Sequence, residues 1–312
     1  MKKLKILSAL ICMCSCLYAQ QPFDEQKQTP VYEDTEGETS IQWTGGNALR
    51  INTKDASAKL IFCNTPNKTA THPFIWGFDL SGKTNDGVLP IFSEGRFTPG
   101  FQVNGSFGWY INYDRVSPGT NSSANISWIT FKAGYEGAKL KLIDTDTTFD
   151  YMIQNKNFGG GGFSLSYNAI HHNNFLFGLS IGYYRKNNYG NLDEIELTQT
   201  QNFVDTASGI TRTIQEKITG KTGSYATFNQ FRIQGDFFMI PVEHFGIHGY
   251  ARYRLNGESD SNVSLGTGAY LLKDSALSSR AGIVLGFNDI THAKSVSESA
   301  AVSLVVGFNF GQ

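Results

Sequence analysis

Hydrophobic and polar residues alternate with a period of two along much of this chain, most regularly between residues 225 and 255. In the first half of that stretch, one face carries Phe231, Ile233, Gly235, Phe237 and Met239, and the other carries Gln230, Arg232, Gln234 and Asp236. After a short turn, the alternation resumes with Phe245, Ile247, Gly249, Ala251 and Tyr253 against His248, Tyr250, Arg252 and Arg254. This is the period of a strand, so the pattern predicts a β-hairpin.

The chemistry of the two faces indicates that both strands of this hairpin span a membrane. The polar face is rich in large side chains that can pair with one another, and the apolar face has aromatic residues near both ends. In a transmembrane barrel, apolar side chains face lipid, polar side chains face the lumen, and aromatic residues lie at the interfaces.

Similar alternation starts at Phe74 and recurs to the end of the chain. The runs are 74–80, 101–111, 129–135, 163–169, 175–184, 263–271, 279–287 and 302–310. With the hairpin they predict an all-β fold, an antiparallel up-and-down transmembrane β-barrel of about ten strands over residues 73–312. Short apolar pieces at 41–43, 48–51 and 59–63 leave three alternatives open: a small sheet, a plug, or one more pair of barrel strands, making twelve.

The connections between these strands alternate in length. Short turns at 171–174, 241–244 and 272–276 alternate with longer loops at 137–162, 185–224 and 288–299, and only the link at 112–125 departs from this order. Because such barrels place short turns in the periplasm and long loops outside, we expect both termini in the periplasm. Alternating runs at 194–204 and 211–218 predict a hairpin that projects beyond the membrane.

The first 19 residues have the pattern of a secretory signal, with three lysines, an apolar run and a cleavage site at Ala19. Three of the four cysteines lie within it, so the processed chain has no disulfide framework. Lipid attachment at Cys16 stays open as an alternative. We expect residues 20–72 to be a partly disordered periplasmic segment.

Charge and composition exclude two further classes of protein. The chain has 26 basic and 27 acidic residues, and removal of the three signal lysines leaves 23 basic residues, a net charge of about −4. This balance is not basic enough for nucleic-acid binding. No stretch approaches the roughly 20 apolar residues that a membrane-spanning helix needs.

The inward face of the hairpin supplies the candidate functional residues. Asp236 is expected to face His248 or Tyr250, and Arg232 to lie level with Arg252 or Arg254. Two interpretations stay open: a salt-linked network that fills the lumen, or a cationic constriction that selects anionic solutes. The candidates are Arg232, Asp236, His248, Arg252, Arg254 and Arg280. Small inward residues could leave a channel beside them, namely Ser264, Gly266, Gly268, Gly282, Gly286, Ser303 and Gly307.

The sequence predicts no metal site, no cofactor and no catalytic residue. His244 and His248 are four residues apart, which on a strand is about 13 Å, too far to share one metal. No serine, histidine and acid can be grouped on an outer rim, so a hydrolase or acyltransferase is the last of three functional alternatives.

The signal segment, the alternating strands from Phe74 onward and the final Phe308, Asn309 and Phe310 make this chain resemble Gram-negative outer-membrane β-barrel proteins. The resemblance implies an outer-membrane location, contact with lipid and lipopolysaccharide, and insertion by the outer-membrane assembly machinery. Passive or selective passage of small solutes is the first functional alternative, and the small inward residues of the last strands favour it. A closed barrel that acts through its extracellular loops is the second alternative.

Overall fold

The computed structural model describes residues 33–34, 38–41, 46–53, 57–64, 74–83, 92–93, 96–97, 100–113, 125–148, 151–171, 175–204, 211–242, 244–257, 261–272, 279–293 and 295–310. The predicted signal segment and the alternative lipid-attachment site at Cys16 lie outside these residues. Within them, no helix is long and apolar enough to cross a membrane.

Sixteen strands make up most of the described chain. They are β1 (Gly46–Asn52), β2 (Ser57–Cys63), β3 (Phe74–Lys83), β4 (Phe92–Ser93), β5 (Arg96–Phe97), β6 (Gly100–Tyr113), β7 (Asn125–Ile143), β8 (Ile153–His171), β9 (Phe175–Asn187), β10 (Asp193–Val204), β11 (Thr211–Thr222), β12 (Thr227–Val242), β13 (Phe245–Asn256), β14 (Ser261–Leu272), β15 (Ser279–Phe287) and β16 (Ala300–Phe310). A 3-10 turn at Tyr189–Asn191 and a short helix α1 at Val296–Ser299 are the described helical elements.

Twelve of these strands close into one antiparallel barrel. Their order around it is β1, β2, β3, β6, β7, β8, β9, β12, β13, β14, β15 and β16. The first and last strands pair with each other, with Asn47 opposite Phe310. The prediction of an all-β antiparallel barrel is confirmed, and the higher of the two strand counts is the one observed.

The barrel begins at Gly46, so the predicted boundary at residue 73 was wrong. β1 and β2 pair with each other over seven residues and fill the gap between β16 and β3. Without them, the backbone groups of those two strands would be unpaired edges. Both strands are only seven residues long, and β2 has consecutive apolar residues at 60–63, so their alternating pattern was weak.

The faces of the central hairpin are as predicted. Gln230, Arg232, Gln234 and Asp236 are buried inside the barrel, whereas Phe231, Ile233 and Phe237 are exposed outside it. The pairing of β12 with β13 sets Asp236 opposite Tyr250 and Arg232 opposite Arg254, as the sequence predicts.

The predicted loop at 137–162 was wrong, because most of it is strand. β7 and β8 are 19 residues each and stay paired from Asn125 opposite His171 to Ile143 opposite Ile153. At about 3.4 Å per residue, each strand is roughly 60 Å long. A membrane-spanning strand needs only about 9–11 residues, so both strands are longer than a membrane requires. Alternation continues in this extension, with Leu140 and Leu142 buried and Lys139 and Lys141 exposed.

The predicted hairpin within 185–224 is confirmed as β10 and β11, which pair along all 12 residues. Its base contacts the β7–β8 extension where Lys221 meets Leu142. An apolar cluster joins the β7–β8 extension to the base of the β10–β11 hairpin. Its buried residues are Leu140, Leu142, Phe158 and Tyr189, and Ala138, Leu192 and Tyr225 pack against them. We call the two extensions and this cluster the projecting platform.

Candidate functional site in the barrel lumen

A piece of the chain that precedes β1 lies inside the barrel. Glu33, Asp34, Ser40 and Ile41 are at most 4% exposed, although they belong to no strand. We call the described residues 33–34 and 38–41 the inner segment. Of the alternatives that the sequence left open for its apolar pieces, the additional strand pair is observed at 48–51 and 59–63, whereas residues 33–34 and 38–40 belong to a stretch that was expected to be a periplasmic segment.

Charged contacts hold the inner segment to the wall. Glu33 Oε1 accepts hydrogen bonds from Arg50 at 3.1 Å and from Lys59 at 3.2 Å. Asp34 Oδ2 lies 2.8 Å from Arg252 NH1, and Glu38 Oε1 lies 3.1 Å from Arg232 NH1.

Two of the predicted lumen arginines therefore have carboxylate partners, as the salt-linked interpretation expected. The partners were misassigned, because the predicted network contained only Asp236 as its acid. The acidic side chains come instead from a segment that sequence reasoning placed outside the barrel. A buried arginine stays charged, so it destabilises the fold unless an opposite charge lies beside it, and the inner segment provides that charge.

Asp236 connects the inner segment to the β12–β13 hairpin through contacts with Ser40, Gln234 and His248. Ser40 donates two hydrogen bonds to Asp236 Oδ2, one from its backbone amide at 2.8 Å and one from its hydroxyl. Gln234 donates to the same oxygen at 3.1 Å, and His248 Nε2 lies 2.8 Å from Oδ1. The carboxylate stands between serine and histidine, whereas nucleophile activation needs histidine between serine and acid. This grouping is therefore structural.

The remaining two candidates are placed by their strands. Arg254 lies on β13, two residues after Arg252 and on the same inward face. Its side chain is partly exposed. Arg280 belongs to β15, and its side chain lies outside the described residues.

An apolar cluster closes the interior at the end with the short turns. Trp128, Leu176 and Phe238 are at most 1% exposed and come from the short-turn ends of β7, β9 and β12. Ile41 of the inner segment belongs to the same cluster. The other buried members are Ile75, Tyr110, Ile126, Ile170, Tyr250, Tyr270, Leu272, Val284 and Val305. Apolar side chains packed in this way exclude water from the space that they fill.

The channel predicted beside the small residues of the last strands is filled. A Cβ at Gly266 would come within 2.7 Å of the Tyr250 ring, and one at Gly268 within 2.9 Å of the Tyr270 ring. These glycines make room for tyrosines that lie flat against the wall. Tyr270 also accepts a hydrogen bond from Glu33 N and donates one to Glu33 O, so it supports the inner segment.

The open space lies against the opposite wall. A cavity that is open to solvent is bounded by β1 to β3, β6 to β9, β12 and the inner segment. Its small residues include Ser106, Gly134, Gly162, Ser164, Ser166 and Ser180, and its charged residues are Glu38, Arg50, Lys59, Asp79, Lys132, Lys186 and Arg232.

The charges of the cavity are arranged in pairs. Lys132 Nζ lies 2.9 Å from Asp79, which also accepts a 2.6 Å hydrogen bond from Asn104, and Lys186 Nζ lies 2.6 Å from Glu136. Enclosure by the barrel would raise the pKa of Glu38. The positive charges of Arg232, Lys186 and Lys59 outweigh that effect and hold the pKa well below its usual range.

Sequence reasoning missed these cavity residues, although one signal was present. Lys132 stands between Phe131 and Ala133 on a predicted spanning strand, so it had to face inward. Lys59, Lys186 and Glu38 fell in segments read as periplasmic or as loop. A charged residue among outward apolar positions is the signal that identifies such sites.

Within the described residues, no group of three or more histidine, cysteine, aspartate or glutamate side chains could hold a metal ion. No known protein family and no curated protein matches the sequence. The fold and the lumen define a closed twelve-stranded β-barrel with part of its own chain inside.

Proposed function

We propose that this chain is an integral β-barrel of a Gram-negative outer membrane. The supporting observation is the apolar outer surface of the barrel. On β9 alone, Phe175, Phe177, Leu179, Ile181 and Tyr183 are all more than 40% exposed. Neighbouring strands continue this belt, since Leu165 and Ile233 both pair with Ile181. A water-soluble protein rarely exposes so large an apolar surface.

The belt has a limited height, as a bilayer requires. Its outward residues on β9 extend about 27 Å along the strand, close to the apolar band of outer-membrane barrels. On β7 the outward position after Tyr135 and Gly137 is Lys139, followed by Lys141, and both lysines are exposed. The change from aromatic to lysine on one face supports an interface at the level of Tyr135. Lipid, lipopolysaccharide and the outer-membrane assembly machinery follow as the proposed partners.

The proposed activity is binding rather than a permanently open pore. The observation that carries this proposal is that the inner segment and the apolar cluster around Trp128 lie across the lumen. The projecting platform then offers the binding surface at the end with the long loops. Hydrogen bonds hold it in place: Tyr189 donates to Lys141 O at 3.0 Å, Asn188 N donates to Ala226 O at 3.1 Å, and Ala226 N donates to Asn188 Oδ1 at 2.8 Å.

Conductance across a planar bilayer tests this proposal. The refolded chain is expected to give no steady single-channel steps at neutral pH, with folding verified by heat-modifiable gel mobility. Regular steps from the wild-type barrel would refute the closed state.

Selective passage of small anions is the second candidate, as a gated activity. The favouring observation is that the inner segment is held largely by ionic contacts that could be exchanged. Replacement of Glu33, Asp34 and Glu38 by their amides removes those contacts. Anion-preferring conductance in this triple variant, with a silent wild type, would support gating, and continued silence would leave the closed binding barrel as the remaining proposal.

A further inference from the structure

The cavity wall contains a buried hydroxyl aimed into open space. Ser166 is 1% exposed and lines the cavity, and its Oγ has no hydrogen-bond partner among the described residues. Thr130 lies opposite it on β7, is 2% exposed, and is likewise without a partner in the described part of the chain. Buried polar atoms nearly always have a partner, so these two mark a place where a ligand or water completes the hydrogen bonding.

Arg232 is oriented toward this space by a fixed support. Its NH2 group donates a 2.7 Å hydrogen bond to Tyr184 Oη, and its guanidinium carbon is 4.3 Å from the centre of the Tyr184 ring. Tyr184 lies against Gly162 and Gly182, where any larger side chain would displace it. A guanidinium held in this way presents its remaining donors in a geometry that suits a carboxylate.

A carboxylate already occupies that position. Glu38 Oε1 lies 3.1 Å from Arg232, and the Glu38 side chain keeps 32% of its surface exposed. Glu38 belongs to the inner segment rather than to a strand, so its carboxylate can leave without breaking the barrel.

The charges of the cavity suit this exchange. Five cations line it, and they are Arg50, Lys59, Lys132, Lys186 and Arg232. Among the described residues, four carboxylates contact them: Glu33, Glu38, Asp79 and Glu136. The excess among these described side chains is one positive charge, and it becomes two when Glu38 leaves. Two positive charges match a small dicarboxylate.

We propose that the lumen cavity binds a small carboxylate-bearing solute, which takes the place of Glu38 on Arg232 and contacts Ser166 and Lys132. Glu38 is thus an internal competitor for the same site. The site follows from the lumen contacts and does not depend on the membrane location or on the role of the platform.

Calorimetric titration of the refolded full-length protein with succinate at pH 7 tests the site. Wild type is expected to bind weakly, and Glu38→Gln at least tenfold more tightly, because the competing charge is gone while the side-chain size is kept. Arg232→Met is expected to lose binding. Glu196→Gln, a matched change on the exposed β10, is expected to behave as wild type.

Inorganic phosphate and a second wall variant complete the test. If Arg232→Met does not fold, as judged by gel mobility, Ser166→Val provides the wall variant and is expected to weaken succinate binding severalfold. The proposal is overturned if neither wild type nor Glu38→Gln binds succinate saturably, if Glu38→Gln binds no more tightly, or if phosphate binds and succinate does not.

Discussion

Arg252 on β13 and Asp34 in the inner segment form an ion pair, in which Arg252 NH1 lies 2.8 Å from Asp34 Oδ2. Both side chains are fully buried. The two residues are far apart in sequence, so this contact joins the start of the described chain to the barrel wall. Breaking such a pair leaves a charge without its counter-charge in a region of low dielectric.

Asp34→Asn is expected to destabilise the protein by about 3–5 kcal/mol, the usual cost of leaving one partner of a buried ion pair uncompensated. The free energy of unfolding, from tryptophan fluorescence in guanidinium, measures this cost. Asp146→Asn at the exposed β7–β8 tip is the control and should change it by less than about 0.5 kcal/mol. Equal effects of the two substitutions would contradict the burial of the Asp34 pair.

The Glu38 contact predicts a stability change confined to acid pH. Because the folded protein lowers the pKa of Glu38 below the ordinary 4.5, its contribution is complete above that value. It is lost as the pH falls through the lowered pKa. The difference in unfolding free energy between wild type and Glu38→Gln should therefore be constant from pH 7 to about 4.5 and should shrink below it. Shrinkage between pH 5 and 7 would argue against the Arg232 contact.

Gly178 on β9 allows the inner segment to approach the wall. A Cβ at this position would lie 2.9 Å from Ser40 Oγ and 3.0 Å from the backbone nitrogen of Ile41. Gly178→Ala is thus expected to push the segment away and accelerate hydrogen exchange of the Ser40 amide, which donates to Asp236.

Gly235→Ala is the matched control for that experiment, since Gly235 pairs with Leu179 beside Gly178 and its nearest contacts are 4.0 Å away. Mass spectrometry of a peptide that covers residues 38–41 measures the exchange. Unchanged protection in Gly178→Ala would mean that the segment does not lie against β9.

The proposed belt predicts a large effect of an outward charge. Leu179→Arg lies near the middle of the belt on β9 and should cost about 2–4 kcal/mol for a barrel unfolded from liposomes. Thr198→Arg on the exposed β10 is the control and should be nearly neutral. A neutral Leu179→Arg would be evidence against lipid contact.

Several site residues were predictable because a strand fixes which face each residue occupies. Arg232, Asp236, His248 and Arg252 are buried in the lumen, and the pairing of Asp236 with Tyr250 is one of the two alternatives that the sequence left open. The extent of β7 and β8 was not predictable in this way. Their outward residues change from aromatic to lysine at the end of the belt, and that change resembles the start of a loop.

The strand period, the two faces of each strand and hence the barrel can be derived from the sequence alone. Local alternation carries that information, since neighbouring side chains on a strand point to opposite sides. The occupants of the lumen depend on tertiary contacts. Glu33, Asp34 and Glu38 have no periodic pattern, and their partners Arg50, Arg252 and Arg232 are brought to them by closure of the ring. Tyr250 and Tyr270 pack against one wall and leave the cavity against the other. This arrangement was not predictable from the sequence, because side-chain packing across a barrel depends on contacts between strands that are far apart in the chain.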